Sequence, residues 1–172
     1  MNWTELLKSE AESAYRAARG LMDRVDADQL AWKPEQGDWM TTSQLLCHMT
    51  NACGWCCERF VTDTWREVME GKGESPPTDV SSVEEAKRLL EEDERLAYRL
   101  IDEAGEETLA GRMMPAPWDP TPRPLGQHLL GMIAHLAQHK GQLFYYLKLQ
   151  GKPVNTWTLY GIPEPPPTPA ES

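Results

Sequence analysis

Long apolar runs, basic clusters and an N-terminal apolar segment are all missing from the sequence. No apolar run approaches the ~20 residues that a membrane-spanning helix needs. The first ten residues, MNWTELLKSE, carry acidic side chains where a signal peptide has its apolar region. Lysine and arginine number 17 against 27 acidic residues, which gives a formal net charge of -10. We therefore expect a soluble, cytoplasmic protein that binds neither nucleic acid nor a membrane surface.

Cysteines are confined to one short segment of the sequence. All four lie between Cys47 and Cys57, whereas a secreted disulfide framework spreads its cysteines along the chain. Cys53 and Cys56 have the C-x2-C spacing, but no second such pair follows, so a structural zinc ribbon is not expected. We interpret these cysteines as reduced thiols that are buried as small apolar side chains on one helix, with Cys56 the only thiol near the candidate site.

Strand-like alternation and internal repeats are absent, whereas helical periodicity recurs along the 172 residues. It predicts four helices, at about 2–25, 41–70, 82–105 and 125–151. Five prolines between 115 and 124 predict that 105–124 is a long connection without helix. The length suits one domain, which we place at 1–162. Residues 163–172 are predicted to form a proline-rich tail.

The predicted fourth helix carries three of the four histidines, His128, His135 and His139. On a helix, His135 and His139 lie roughly 40° apart, at the edge of an apolar stripe. Two imidazoles one turn apart can chelate a metal ion. Such a pair can equally be two hydrogen-bonded core residues, so a third ligand has to decide. Gln142 and Tyr146 share the sector of the pair and are predicted to orient ligands or line a pocket.

His48 has a matching position beside the inward stripe of the predicted second helix. That parallel makes His48 the candidate third ligand. Trp55 and Arg59 fall in the same sector and are predicted to support the ligands or line a pocket, although a solvated arginine is the simpler interpretation of Arg59. His128 lies roughly 10 Å from His135 along the helix axis, which is too far to share its metal. It is either a proton shuttle or a polar residue near the start of the helix.

Two segments resemble the DinB/YfiT-like superfamily. One is Gly37-Asp38-Trp39 leading into LLCHM at 45–49, and the other is HLAQHKGQL at 135–143. The resemblance runs from Trp3 to about Gly161. It implies an all-α, up-down four-helix bundle in which His48, His135 and His139 bind one divalent metal ion, which is nickel, zinc or iron. It also implies a homodimer. The wider group includes S-transferases that use the low-molecular-weight thiols bacillithiol or mycothiol.

The leading hypothesis is a divalent-metal-dependent enzyme of this type. It would act on a small molecule, either as a thiol-dependent S-transferase or as a hydrolase. Three imidazoles leave a metal position open, where water or a small thiol becomes a nucleophile at neutral pH. No general base is evident, so no further catalytic residue is predicted. The first alternative is a non-catalytic, metal-binding, dimeric stress protein. The second is that the histidines are structural and bind no metal.

Overall fold

A computed structural model describes residues 2–72 and 76–165 of the chain. The described chain is mostly helical, with one antiparallel pair of strands. In chain order the elements are α1 Trp3–Met22, α2 Thr42–Met49, α3 Gly54–Val61, α4 Trp65–Met69, α5 Val83–Gly111, β1 Met113–Ala116, β2 Asp119–Pro124, α6 Leu125–Leu149 and α7 Thr156–Tyr160. No helix within the described ranges has the length and apolar character needed to cross a bilayer.

The three long helices α1, α5 and α6 pack against one another and enclose most of the core. The short helices α2 and α3 together take the place of a fourth long helix, since both contact α5 and α6. One apolar core results, and it is filled by large buried side chains from every one of these elements, such as Leu7, Tyr15, Leu46, Phe60, Ile101 and Leu125. The two faces that carry histidines, on α2 and α6, are therefore brought together by the burial of apolar neighbours.

The second predicted helix, 41–70, is wrong as a single element, because the chain breaks twice within it. After α2, the Thr50 hydroxyl donates to the Cys47 carbonyl at 2.7 Å, which competes with helical hydrogen bonding. After α3, the Thr62 hydroxyl bonds to a carbonyl one turn back, and Asp63 adopts a φ of 59°. Short polar side chains therefore end both helices. The start of α2 is as expected, with a capping box between Thr41 and Gln44.

The third predicted helix is also wrong at its C-terminal end. Instead of stopping near residue 105, α5 continues to Gly111 beyond a kink at Gly105. Gly105 has a φ of 68° and a ψ of 166°, a conformation that glycine adopts without the steric cost of a Cβ. Gly105 therefore redirects the helix and does not end it.

The proline-rich part of the predicted connection is a β-hairpin, which corrects the all-α expectation. Its strands pair Met113 with Pro124 and Met114 with Arg123. Prolines at 120, 122 and 124 alternate with residues that keep their N–H. The odd-numbered residues of this segment keep their N–H groups, and the N–H of Leu125, the next odd-numbered residue, donates to the Arg112 carbonyl at 2.9 Å. Proline is tolerated because its missing donors fall on the unpaired side of a two-stranded ribbon.

Three further predictions concern the end of the last long helix, the C-terminal tail and the loop at 71–78. Helix α6 ends as expected, with Gly151 at a φ of 77° directly after its last turn. The predicted tail at 163–172 lies outside the described residues from 166 onwards. The predicted loop at 71–78 likewise includes 73–75, which are outside them.

Candidate metal centre

Three histidines from two helices converge at one point between α2 and α6. The Nε2 atom of His135 lies 3.3 Å from Nε2 of His48 and 3.0 Å from Nε2 of His139. One ring nitrogen from each of the three residues falls within 4.8 Å of the other two. The structure thus brings together the three residues that the sequence singled out as ligands, in an arrangement that can hold a metal ion.

Neighbouring acceptors fix where two of the imidazole protons lie. Nδ1 of His135 is 3.1 Å from the carbonyl oxygen of Ala52. Nδ1 of His139 is 3.1 Å from the side-chain oxygen of Gln142. Both partners are oxygen acceptors, so each Nδ1 carries the proton and donates it. In the neutral imidazoles, each Nε2 therefore presents a lone pair to the shared point.

A chain of hydrogen bonds holds Gln142 in the orientation that this requires. Its Nε2 group donates to the Tyr146 hydroxyl at 3.3 Å, and that hydroxyl donates to the Met40 carbonyl at 2.9 Å. The tyrosine proton is therefore already used, so Gln142 has to donate to Tyr146 and accept from His139. Gln142 and Tyr146 thus form a hydrogen-bonded chain that reaches His139, and their role in orienting a metal ligand stays a prediction.

The donor set fits a cation. Two Nε2 lone pairs, those of His135 and His139, face each other at 3.0 Å with no proton between them. A divalent metal ion resolves this repulsion. Imidazole nitrogens at about 2.0–2.1 Å from one metal ion lie about 2.8–3.4 Å from each other in octahedral or tetrahedral geometry. The separations of His135 Nε2 from His48 Nε2 and from His139 Nε2, 3.3 and 3.0 Å, fall in that range.

Burial keeps the candidate ligands in the form that binds metals. Desolvation lowers the pKa of His48 to about 4, with further contributions from the neighbouring His139 and His135. Desolvation also lowers the pKa of His139, although its hydrogen bond to Gln142 opposes the shift. Both imidazoles are therefore neutral at pH 7, which leaves their lone pairs free for a metal.

A cavity of about 330 Å³ opens onto the centre. We call it the histidine cavity, and its lining is given by Met40, Gln44, His48, Asn51, Pro76, Pro77 and Thr78. One ligand side chain thus faces a space large enough for a small molecule. Access of this kind is typical of catalytic metal sites, because structural sites enclose the metal in protein ligands.

Asp93 fixes the backbone at the start of α3, next to the centre, and the sequence did not predict this role. Its buried carboxylate accepts the Tyr15 hydroxyl at 2.6 Å and the backbone N–H groups of Gly54 and Trp55 at 2.9 and 2.8 Å. These bonds hold the start of α3, two residues after the Ala52 carbonyl that accepts from His135. Burial raises the pKa of Asp93 to about 6, although the hydrogen bonds that it accepts oppose the shift. The sequence does contain one signal for this role, because Asp93 is an acidic residue within the otherwise apolar stripe of α5.

Other predicted residues occupy separate surroundings. The Arg59 guanidinium lies 4.5 Å from the Trp55 ring and pairs with Glu58 at 2.9 Å. Among the described residues, no hydrogen bond or ring contact joins Trp55 or Arg59 to the three histidines. Their role in a pocket therefore stays a prediction. His128 is buried, stacks on Phe60 at 4.6 Å and lies away from the centre.

The cysteines are buried and free. They are split between α2, the break and α3, rather than lying on one helix. Burial raises the pKa of Cys56 to about 12, with a smaller contribution from the nearby Asp93. Burial likewise raises the pKa of Cys47. These thiols are therefore protonated at neutral pH, which makes them weak nucleophiles and weak metal ligands.

Comparisons with known proteins agree with this architecture. The sequence model of the DinB superfamily matches residues 10–143. The crystal structure of a DinB-like protein from Bacillus subtilis, YjoA, is similar with a TM-score of 0.65 and 19% identity, over 87% of this chain and 94% of that chain. The sibling lethal factor precursor DfsB is similar with a TM-score of 0.59 and 19% identity, over 87% of this chain and 97% of that one. No curated protein matches the sequence.

Proposed function

The chain belongs to the DinB superfamily, and we propose that it is a divalent-metal-dependent enzyme acting on a small molecule at His48, His135 and His139. The observation that carries the proposal is the 3.0 Å approach of Nε2 of His135 to Nε2 of His139, while the Nδ1 atom of each ring faces an oxygen acceptor. A structural pair of histidines would place a proton between these atoms. Here both protons are held on the opposite ring nitrogens by outside acceptors.

The histidine cavity supports catalysis rather than storage of the metal. Three protein ligands leave at least one position for an exchangeable molecule, and His48 lines a cavity of about 330 Å³. When bound, a nickel, zinc or iron ion would supply a Lewis acid that makes water or a small thiol nucleophilic at neutral pH.

The chain's own residues orient the ligands and do not supply the nucleophile. Ala52 and Gln142 hold the protons of His135 and His139 away from the centre. Buried cysteines with a raised pKa, such as Cys56, do not compete as nucleophiles. The attacking group is therefore water or a low-molecular-weight thiol that enters from solvent. Hydrolysis and thiol-dependent S-transfer are the two reaction classes that this arrangement supports.

Metal analysis of protein purified without a histidine tag tests the centre. We expect about one divalent ion per chain, and loss of that ion in both His48→Ala and His139→Ala. His128→Phe is the matched control, because it removes a histidine from the same helix outside the centre and should retain the ion. Wild-type protein that binds no added zinc, nickel or iron would contradict the proposal.

Turnover separates the enzyme from the alternative, a non-catalytic metal-binding stress protein. The metal-loaded protein is tested with water alone and with small thiols against a panel of activated esters and carbon electrophiles. We expect acceleration that is abolished in His139→Ala and retained in His128→Phe. Metal binding without acceleration of any member would favour the stress protein.

Four broader features of the proposal rest on the likeness to the family and on the composition of the chain. We propose that α1, the α2–α4 segment, α5 and α6 form an up-down four-helix bundle, with residues 1–162 as one domain. We also propose a cytoplasmic homodimer. Light scattering after size exclusion would measure the mass in solution, and a single 19.5-kDa species at micromolar concentration would contradict the dimer.

A further inference from the structure

A second cavity lies beside the centre, between the loop that precedes α2 and the C-terminal half of α6. Its volume is about 780 Å³, which is in the range of small-molecule sites. Four aromatic side chains line it, namely Trp32, Trp39, Tyr145 and Tyr146. We call it the aromatic cavity. Trp39 and Tyr145 are exposed by 45% and 64%, so the cavity is open to solvent.

The charge of the aromatic cavity is negative. Among the described residues, Glu35 is the only charged one in the lining, which contains no lysine or arginine from the same ranges. Within residues 2–72 and 76–165, Glu35 takes part in no ion pair or hydrogen bond. The chain as a whole carries a net charge of -10. An anionic ligand would therefore be repelled, whereas an organic cation finds both a carboxylate and aromatic faces, which attract cations through their quadrupole.

Local structure organises the aromatic cavity before any ligand arrives. The Trp39 indole N–H donates to the Gln36 carbonyl at 2.6 Å, which holds the ring over the loop. Gly37 permits this, because its φ is 97° and a Cβ there would lie 2.8 Å from the indole nitrogen. On the other wall, the Trp32 ring meets the Tyr146 ring edge-on at 5.2 Å. Such preorganisation reduces the entropy lost on binding.

The aromatic cavity and the metal centre share a wall. Gln142 lines the cavity and accepts the Nδ1 proton of His139 at 3.1 Å. Tyr146 also lines it and holds Gln142 in place. A ligand in the cavity thus lies one side chain away from a candidate metal ligand.

We propose that the aromatic cavity binds a small organic cation with an alkylated ammonium group, beside Glu35 and between the tryptophan and tyrosine rings. Cation binding here does not depend on a metal. The further statement that this cation is the substrate class of the histidine centre rests on the proposed function. The cavity would then select substrates by charge, while the histidines supply the reactive position.

Choline and its neutral carbon analogue, 3,3-dimethylbutan-1-ol, test the proposal, because they share shape and differ in charge. Isothermal titration and the indole N–H resonance of Trp39 report binding to the full chain, with and without zinc. We expect choline to bind at least tenfold more tightly than the neutral analogue. Glu35→Gln should reduce that preference at least threefold, and Tyr145→Ala should weaken choline binding several-fold. Asp38→Asn, an exposed carboxylate outside the lining, should leave both unchanged.

Several results would overturn the cation site. These are equal affinities for the two probes, no binding of choline at millimolar concentration, or equal effects of Glu35→Gln and Asp38→Asn. Concentration-dependent shifts of the Trp39 resonance without ligand would show that a second copy of the chain covers the cavity instead. If the protein bound choline but no metal ion, the proposed function would be wrong and the cation site would still be supported.

Discussion

Helix α6 carries histidines in two contrasting settings. At its start, Nε2 of His128 lies 2.8 Å from the Met114 carbonyl, so Nε2 carries the proton and no lone pair is offered inward. About two turns later, His135 gives its Nδ1 proton to the Ala52 carbonyl and turns its Nε2 lone pair towards His48 and His139. The comparison shows that a carbonyl acceptor sets the tautomer of each histidine: Nε2 keeps its lone pair in His135, at the centre, and carries the proton in His128, about two turns away.

Removing a ligand should give the largest difference between the two settings. We expect His139→Ala to weaken zinc binding by at least 100-fold, because two imidazoles with no third ligand hold the ion poorly. The change is measured by competition with a chromophoric chelator. Zinc affinity within threefold of wild type in His139→Ala would break the contrast between the two ends of α6.

Asp93 is expected to give the next largest effect, on stability and its pH dependence. Its pKa is raised from 3.8 to about 6, so the folded state holds a proton that the unfolded state releases. Stability from this group is present below pH 4 and is lost as pH rises to above 6, by up to about 3 kcal/mol. Asp93→Asn lacks this dependence. The free energy of unfolding of wild type, measured relative to that of Asp93→Asn, should therefore fall by up to about 3 kcal/mol between pH 4 and pH 7.

Urea unfolding of the metal-free proteins between pH 4 and pH 7 checks this prediction. The free energy of unfolding of wild type minus that of Asp93→Asn should fall as the pH rises. A difference that stays constant across the range would mean that Asp93 has no raised pKa. The same comparison cancels the titration of His48, which both proteins retain.

Gln142 extends the comparison to a side-chain acceptor. Its amide oxygen accepts from Nδ1 of His139, as the Ala52 carbonyl accepts from Nδ1 of His135. Gln142→Ala should weaken zinc binding by about 10- to 100-fold, as is usual when the outer partner of a histidine ligand is lost. Gln142→Glu keeps an acceptor and should restore affinity at least to the wild-type level. Equal affinities of the alanine and glutamate variants would show that the tautomer is fixed by something else.

His128→Phe should give the smallest effect. The variant keeps an aromatic ring against Phe60 and loses the donor to Met114, which leaves a buried carbonyl without its partner. We expect a loss of about 1–2 kcal/mol in the free energy of unfolding, with unchanged zinc affinity. The measurements are urea unfolding and metal titration. Weaker zinc binding in this variant would assign His128 to the centre and remove the distinction.

The sequence predicted most of the fold where its signals were periodic. Helix α6 begins at the predicted residue and ends two residues before the predicted end, and His48, His135 and His139 lie on helices as predicted. The prediction failed where local side-chain chemistry competes with a helix. Thr50 and Thr62 end helices that the apolar pattern alone continues, and alternating prolines form a strand edge rather than a loop.

The backbone carbonyls that accept from His135 and His128 both lie in those mispredicted segments. Ala52 is in the break between α2 and α3, and Met114 is in the hairpin. The sequence by itself determined the helical faces, the acidic charge and the three candidate ligands, because these follow from composition and a 100° turn per residue. Only the tertiary structure decided which backbone carbonyls His128 and His135 meet, and hence which nitrogen of each ring keeps its lone pair. That choice depends on a helix break held by Asp93 from another helix, which no local pattern encodes.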